Sequence, residues 1–218
     1  AAEGWGVALV SGTGCNCRGW DRSRRKEGMV TGHGLRMGEA AGAGELVSKA
    51  LMAVSQAWTL RGPATRLAQA FVEHSGARSV AELLESITTE AMEVGASAAP
   101  LVFQVAAAGD PVAREIVRWA GCELGELACA VIRQLGFEDL AFDVVQIGGM
   151  FDSGPMLIEP MRQTIHALAP KARLVRPTAP PVIGAVVLGM ERAGVAGTER
   201  REALIRSARR VLTGKMTE

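Results

Sequence analysis

The chain has 218 residues, 48% of them hydrophobic, with 24 Lys and Arg against 23 Asp and Glu for a net charge of +1. That length and apolar fraction support a sizeable core, and the near-neutral balance argues against nucleic acid or an anionic membrane as partner. No run of roughly 18 apolar residues spans a bilayer, and the opening Ala1-Ala-Glu-Gly-Trp5 lacks the charged and apolar regions of a signal peptide, so a cytoplasmic protein is expected.

The first element is an apolar run, Val7 to Val10, stopped by Ser11-Gly12-Thr13-Gly14. It reads as a buried strand. Two glycines around a threonine let backbone amides turn toward an anion without Cβ interference, although Gly-Thr-Gly also joins ordinary strands. Asn16 to Trp20 and Met29 to Thr31 read as further strands. Between them Asp21-Arg-Ser-Arg-Arg-Lys-Glu-Gly28 reads as a solvated hairpin tip, with nucleotide steering as the alternative.

After Gly38 the pattern becomes helical. Leu46, Val47, Ala50, Leu51, Val54 and Trp58 share one face of a helix that ends before Arg61-Gly-Pro63, and a helix-rich section follows to about Gly136. Its clearest member starts at Gly109-Asp110-Pro111, with Asp placed to cap and Pro in the first turn. An apolar stripe from Ala113 to Leu135 then closes on Gly136. Cys122 and Cys129 on this helix read as small packed side chains. With Cys15 and Cys17 they lack CxxC spacing, so four reduced thiols and no metal site are expected.

Phe142 to Ile147 reads as a second buried strand, broken by Gly148-Gly149-Met150-Phe151 before a helix reaching Leu168. Strand, glycine pair and helix can bring backbone close to a nucleotide, or simply make a tight turn. Ala172 to Val175 reads as a short strand, Pro180 to Met190 as a small-residue helix, and Thr198 to Leu212 as an arginine-rich surface helix.

In order, these pieces resemble the BadF/BadG/BcrA/BcrD ATPase and N-acetylglucosamine kinase family of the actin, sugar kinase and Hsp70 superfamily. The resemblance rests on Ser11-Gly-Thr-Gly-Cys-Asn-Cys-Arg18, Gly32-His-Gly34, Gly38-Glu-Ala-Ala-Gly-Ala43, Ala106-Ala-Ala-Gly-Asp-Pro-Val-Ala113, Ile147-Gly-Gly-Met150 and Pro181 with Gly184-Ala185. It implies an α/β, ribonuclease-H-like actin-type ATPase lobe over 1–218, with a mixed sheet flanked by helices and a helical insertion at about 45–136.

By the same resemblance Gly12, Thr13 and Gly14 face the β- and γ-phosphates of ATP, Gly148, Gly149, Met150 and Phe151 form the adenosine-binding turn, and Gly184 packs near the nucleotide. Asn16, Gly32, His33 and Glu39 correspond to the stretch that faces the sugar. A carboxylate suits that place because two adjacent hydroxyls can donate to its two oxygens. The chain departs from the pattern where members commonly read Gly-Trp-Gly and Gly-Asp-Glu-Gly-Ser: here stand Gly32-His33-Gly34 and Gly38-Glu39-Ala40-Ala41-Gly42. One acid replaces two, imidazole replaces indole, and a turn role for His33 stays open.

The family's Asp-Gly-Gly-Gly-Thr loop and catalytic aspartate belong to an N-terminal lobe and have no match in this chain. The implied activity is ATP- and Mg²⁺-dependent phosphorylation of N-acetylglucosamine, glucosamine or a related hexose. This chain would supply one lobe, inactive alone, with no catalytic residue except Glu39 as a fallback base and with a homodimer as an option. Two alternatives stand beside it: an ATPase activator of a 2-hydroxyacyl-CoA dehydratase or acyl-CoA reductase, which needs an exposed Cys at a helix end, and a non-catalytic nucleotide- or sugar-binding module.

Overall fold

A computed structural model describes residues 4–214, which form two compact units meeting in sequence at Val175 and Arg176. The first unit is built on strands β1 (Gly6–Ser11), β2 (Cys15–Asp21), β3 (Lys26–Met29), β4 (Asp143–Ile147) and β5 (Arg173–Val175). They form one mixed sheet in the order β3-β2-β1-β4-β5. The hairpin pairs β1–β2 and β2–β3 are antiparallel, while β1–β4 and β4–β5 are parallel. β4 lies between β1 and β5 and buries Val144, Val145 and Gln146 in succession, as an interior strand paired on both edges does.

Five helices separate β3 from β4: α1 (Ala43–Trp58), α2 (Leu67–Ser75), α3 (Val80–Thr88), α4 (Ala99–Ala107) and α5 (Pro111–Leu135). The capping signal before α5 is realised, with the Asp110 carboxylate accepting from the Ala113 amide at 2.9 Å and Gly136 in the left-handed region closing the other end. The same carboxylate accepts from the Thr65 hydroxyl at 3.0 Å and the Arg66 amide at 2.8 Å, so one buried acid fastens the start of α2 to the start of α5. At 25 residues, or about 38 Å, α5 spans the sheet. It packs on α6 (Pro155–Leu168), where Gly121 and Gly125 let the backbones close: a Cβ at Gly121 would lie 2.4 Å from the Leu157 carbonyl oxygen.

The third strand falls at Lys26–Met29 rather than Met29 to Thr31, and the end of α5 explains the shift. Gly19 and Gly28 are register partners, and Val131 and Leu135 sit on both: a Cβ would come within 2.6 Å of them at Gly19 and 3.0 Å at Gly28. Gln134 completes the seat by accepting from the Met29 amide at 2.7 Å and donating to its carbonyl at 3.0 Å, which satisfies an edge that would otherwise be unpaired. The charged tip is therefore shorter than expected. Arg24 and Lys26 are not merely solvated, since their side chains donate to the Leu135 and Gln134 carbonyls and place two cations on the negative end of the α5 dipole.

The second unit holds α7 (Val182–Arg192) and α8 (Arg201–Gly214), which pack on each other. Among the described residues no helix is long and apolar enough to cross a membrane.

Candidate functional site

β1 and β4 run parallel with Val10 opposite Ile147, so their following turns emerge side by side at one sheet edge. Gly148 has φ +111°, and a Cβ there would stand 2.1 Å from the Ser11 carbonyl oxygen. No other residue fits this contact. Beyond it a Cβ at Gly12, Gly14 or Gly149 would meet nothing within 4 Å, so both glycine turns face open space.

The Gly12–Thr13–Gly14 turn is held from behind by the start of α1. The Gly12 carbonyl accepts from the Ala43 amide at 2.8 Å and the Thr13 carbonyl from the Gly44 amide at 2.9 Å. Because a trans peptide sets N–H opposite C=O, the amides of Thr13 and Gly14, which share those two peptide planes, point away from the helix toward solvent. The Gly12 amide does not join them. It donates to the Gly14 carbonyl at 2.9 Å within the turn, so two adjacent amides rather than three are directed outward. Two adjacent outward amides are donors that an anion can use.

Sequence reading missed the clamp behind this turn. Gly42 lies against Gly14, since a Cβ there would be 2.3 Å from the Gly14 Cα, and its amide donates to Glu45 at 2.9 Å. The buried Ser11 hydroxyl donates to the Ala41 carbonyl at 2.7 Å. Ala41 itself has φ +120°, a conformation that glycine adopts far more readily, at the position where the resembled pattern carries Gly. The small-residue run Ala40-Ala-Gly-Ala-Gly44 was the available signal for a close backbone approach.

Asn16, Gly32, His33 and Glu39 come together beside the turn. A Cβ at Gly32 would be 2.9 Å from Asn16 Nδ2, and Asn16 Oδ1 is buried with no hydrogen-bond partner. Glu39 closes the loop on itself: Oε1 accepts from the Thr31 amide at 2.9 Å and hydroxyl at 2.7 Å, and Oε2 from the His33 amide at 2.6 Å. Desolvation pushes its pKa up, but these bonds from Thr31 and His33, with the Gly32 amide, outweigh it and hold the carboxyl below its ordinary value. Thr31 and His33 take three of its acceptor directions and the Gly32 amide faces the same carboxylate, so Glu39 cannot receive two hydroxyls on two free oxygens, and its lowered pKa makes it a poor base.

Met150 and Phe151 lie in a 3-10 turn with their side chains in the core, 5% exposed each, so only their backbone faces the edge. Gly184 belongs to α7 of the second unit. All four cysteines are free, with Cys17 and Cys129 buried and Cys15 and Cys122 only half-buried, a looser packing than expected. Cys15 and Cys17 are on β2 and Cys122 and Cys129 are within α5, away from helix ends. Burial, then the nearby Glu45, pushes the Cys15 thiol up to about 11, while burial raises Cys17 and, with Glu126, takes Cys129 to about 11. These are protonated, packed thiols.

Among the described residues no three His, Cys, Asp or Glu side chains converge on a cation site. The described residues therefore do not make an all-protein cage for Mg²⁺, an ion that commonly rides on substrate phosphates with one or two carboxylates. A cavity of about 780 Å³ lies at the opposite strand ends, lined by Trp5, Arg22, Arg24, Phe137 and Leu140. The constrained glycines and directed amides are at the other end of the strands, and their chemistry marks the candidate site.

Comparison with known proteins places the fold. No protein-family profile matches the sequence. Over 190 residues the chain is 27% identical to N-acetyl-D-glucosamine kinase of Dictyostelium discoideum, covering 85% of this chain and 59% of that protein. A crystal structure from Chromobacterium violaceum, provisionally described as an N-acetylglucosamine kinase, superposes with a TM-score of 0.61 at 23% identity, covering 84% of this chain and 59% of that one. The fold is of the actin-like ATPase and sugar kinase type. The chain spans about 59% of the length of both relatives.

Proposed function

We propose that this chain is the nucleotide-binding and part of the sugar-binding lobe of a cytoplasmic ATP-dependent kinase acting on an amino sugar, N-acetylglucosamine, glucosamine or a related hexose. The observation that carries the reading is the turn whose Gly12 and Thr13 carbonyls are pinned by α1, leaving the Thr13 and Gly14 amides to donate to phosphate oxygens. Gly148 and Gly149 at the adjoining strand end leave room for the rest of the nucleotide. The similarity to the Dictyostelium discoideum kinase supports a sugar as the phosphoryl acceptor.

Phosphoryl transfer needs positioning, charge stabilisation and a carboxylate to accept the hydroxyl proton. This chain contributes positioning. Its amides hold the phosphates, while the loop of Gly32, His33 and Glu39, packed on Asn16, borders the place where the sugar would lie. A proton-accepting carboxylate and a first phosphate loop come, in this reading, from the second lobe that the resemblance implies. Mg²⁺ would supply charge neutralisation on the phosphates, and no residue described here is assigned to hold it.

The test is ADP release by the intact protein with ATP, Mg²⁺ and a panel of amino sugars. ADP above background with N-acetylglucosamine or glucosamine is expected. Nucleotide binding without ADP from any sugar would replace the kinase with a non-catalytic binding module.

A further inference from the structure

We propose that Ser11 is a positioning residue that links the sugar-facing loop to the phosphate turn, so that occupation of one tightens the other. The inference rests on the kinase reading above. Ser11 is fully buried at the last position of β1, where three segments meet on one residue. Its hydroxyl donates to the Ala41 carbonyl at 2.7 Å. Its own carbonyl oxygen is the atom against which Gly148 closes, 2.1 Å from where a Cβ would stand. The next residue, Gly12, starts the turn whose amides face outward.

Bonds on either side of Ala41 close the circuit. Ala43 and Gly44, two and three residues after Ala41, pin the Gly12 and Thr13 carbonyls at 2.8 and 2.9 Å. Glu39, two residues before it, anchors Thr31 and His33 through three hydrogen bonds. The segment 39–44 therefore touches the sugar-facing loop at one end and the phosphate turn at the other, and the Ser11–Ala41 bond fixes its middle. The bond to the Ala41 carbonyl makes residues 39–44 one stiff unit, so a ligand that orders Glu39 also limits the motion of Ala43 and Gly44. Ala41 at φ +120° is in a backbone conformation that does not persist without such a constraint.

Without the hydroxyl, the two ends of this segment move independently. Each site keeps its own contacts, and what is lost is their coupling, which is the same whichever ligand binds first.

The experiment measures the affinity of the intact protein for a non-hydrolysable ATP analogue, with and without saturating N-acetylglucosamine or glucosamine, in the parent protein, Ser11→Ala and Ser11→Thr. The sugar is expected to tighten nucleotide binding at least about fivefold in the parent protein. In Ser11→Ala the ratio falls to near one, with the sugar-free nucleotide affinity changed by less than about threefold, and Ser11→Thr restores it. A parent protein that binds nucleotide without coupling, a Ser11→Ala variant with coupling intact, or a Ser11→Thr variant no better than Ser11→Ala would overturn the positioning role alone. A Ser11→Ala variant that loses both ligands together and unfolds at lower temperature, with Ser11→Thr equally unstable, would make Ser11 a structural residue only. A parent protein that binds no nucleotide would overturn the kinase reading and this proposal with it.

Discussion

Two residues at the glycine edge carry backbone demands that make opposite predictions. Gly148 combines φ +111° with a Cβ position 2.1 Å from the Ser11 carbonyl oxygen, and the obstacle is backbone that cannot rotate aside. Gly148→Ala is expected to cost at least about 3 kcal/mol in urea unfolding, from overpacking and strain together. Ala41 is the reverse case, an alanine at φ +120°. Strain of roughly 1–3 kcal/mol there exceeds the roughly 0.8 kcal/mol lost with a buried methyl, so Ala41→Gly is expected to stabilise by about 1 kcal/mol in the same assay. Sequence alone pointed to both glycine turns, because a glycine pair ending an apolar run is visible in one dimension. It did not reveal that Glu39 is occupied by Thr31 and His33, since a carboxylate free for ligand and one tied to its own loop have the same spelling.

At the scale of elements, Asp110 tests whether one buried carboxylate unites α2 and α5. It accepts from Ala113, Thr65 and Arg66, so Asp110→Ala removes a helix cap and strands three donors. A loss of about 3 kcal/mol is expected, with Asp110→Asn costing about half, read by chemical denaturation. Desolvation pushes the Asp110 carboxyl up, but the Ala113 and Arg66 amides and the Thr65 hydroxyl more than offset it and the pKa ends below the ordinary value. A depressed folded pKa means that this stability is present above the unfolded aspartate range and drains away as pH falls through the folded value. The acid limb of the stability curve should therefore flatten in Asp110→Ala. α1 and α5 were legible from their stripes, and α5 runs from Pro111 to Leu135 as the Asp-Pro start and Gly stop require, while α2, α3 and α4 were visible only as an undivided helical section. β3 was not, because its place is set by Gly19, Gly28 and the Gln134 side chain, and the partner residues lie about a hundred positions away.

For the whole first unit, the arrangement concentrates conformational constraint at one sheet edge and open volume at the other. Ser11, Gly12, Gly42, Ala43, Gly44 and Gly148 converge on the two turns, while the cavity of about 780 Å³ near Trp5 and Leu140 has an ordinary structural neighbourhood, with Arg24 committed to Asp21 and the end of α5. The order of the strands and the seating of both turns on a parallel pair bring two weak glycine signals together at one end of the sheet. What neighbouring residues could not disclose was the direction of the turn amides, which depends on α1 beginning some thirty positions later. A crystal structure of the intact protein with a non-hydrolysable ATP analogue examines this most directly. The phosphates are expected within hydrogen-bonding distance of the Thr13 and Gly14 amides, with the nucleotide passing over Gly149. Density for the analogue in the Trp5–Arg22–Leu140 cavity, or anywhere away from both glycine turns, would contradict the account.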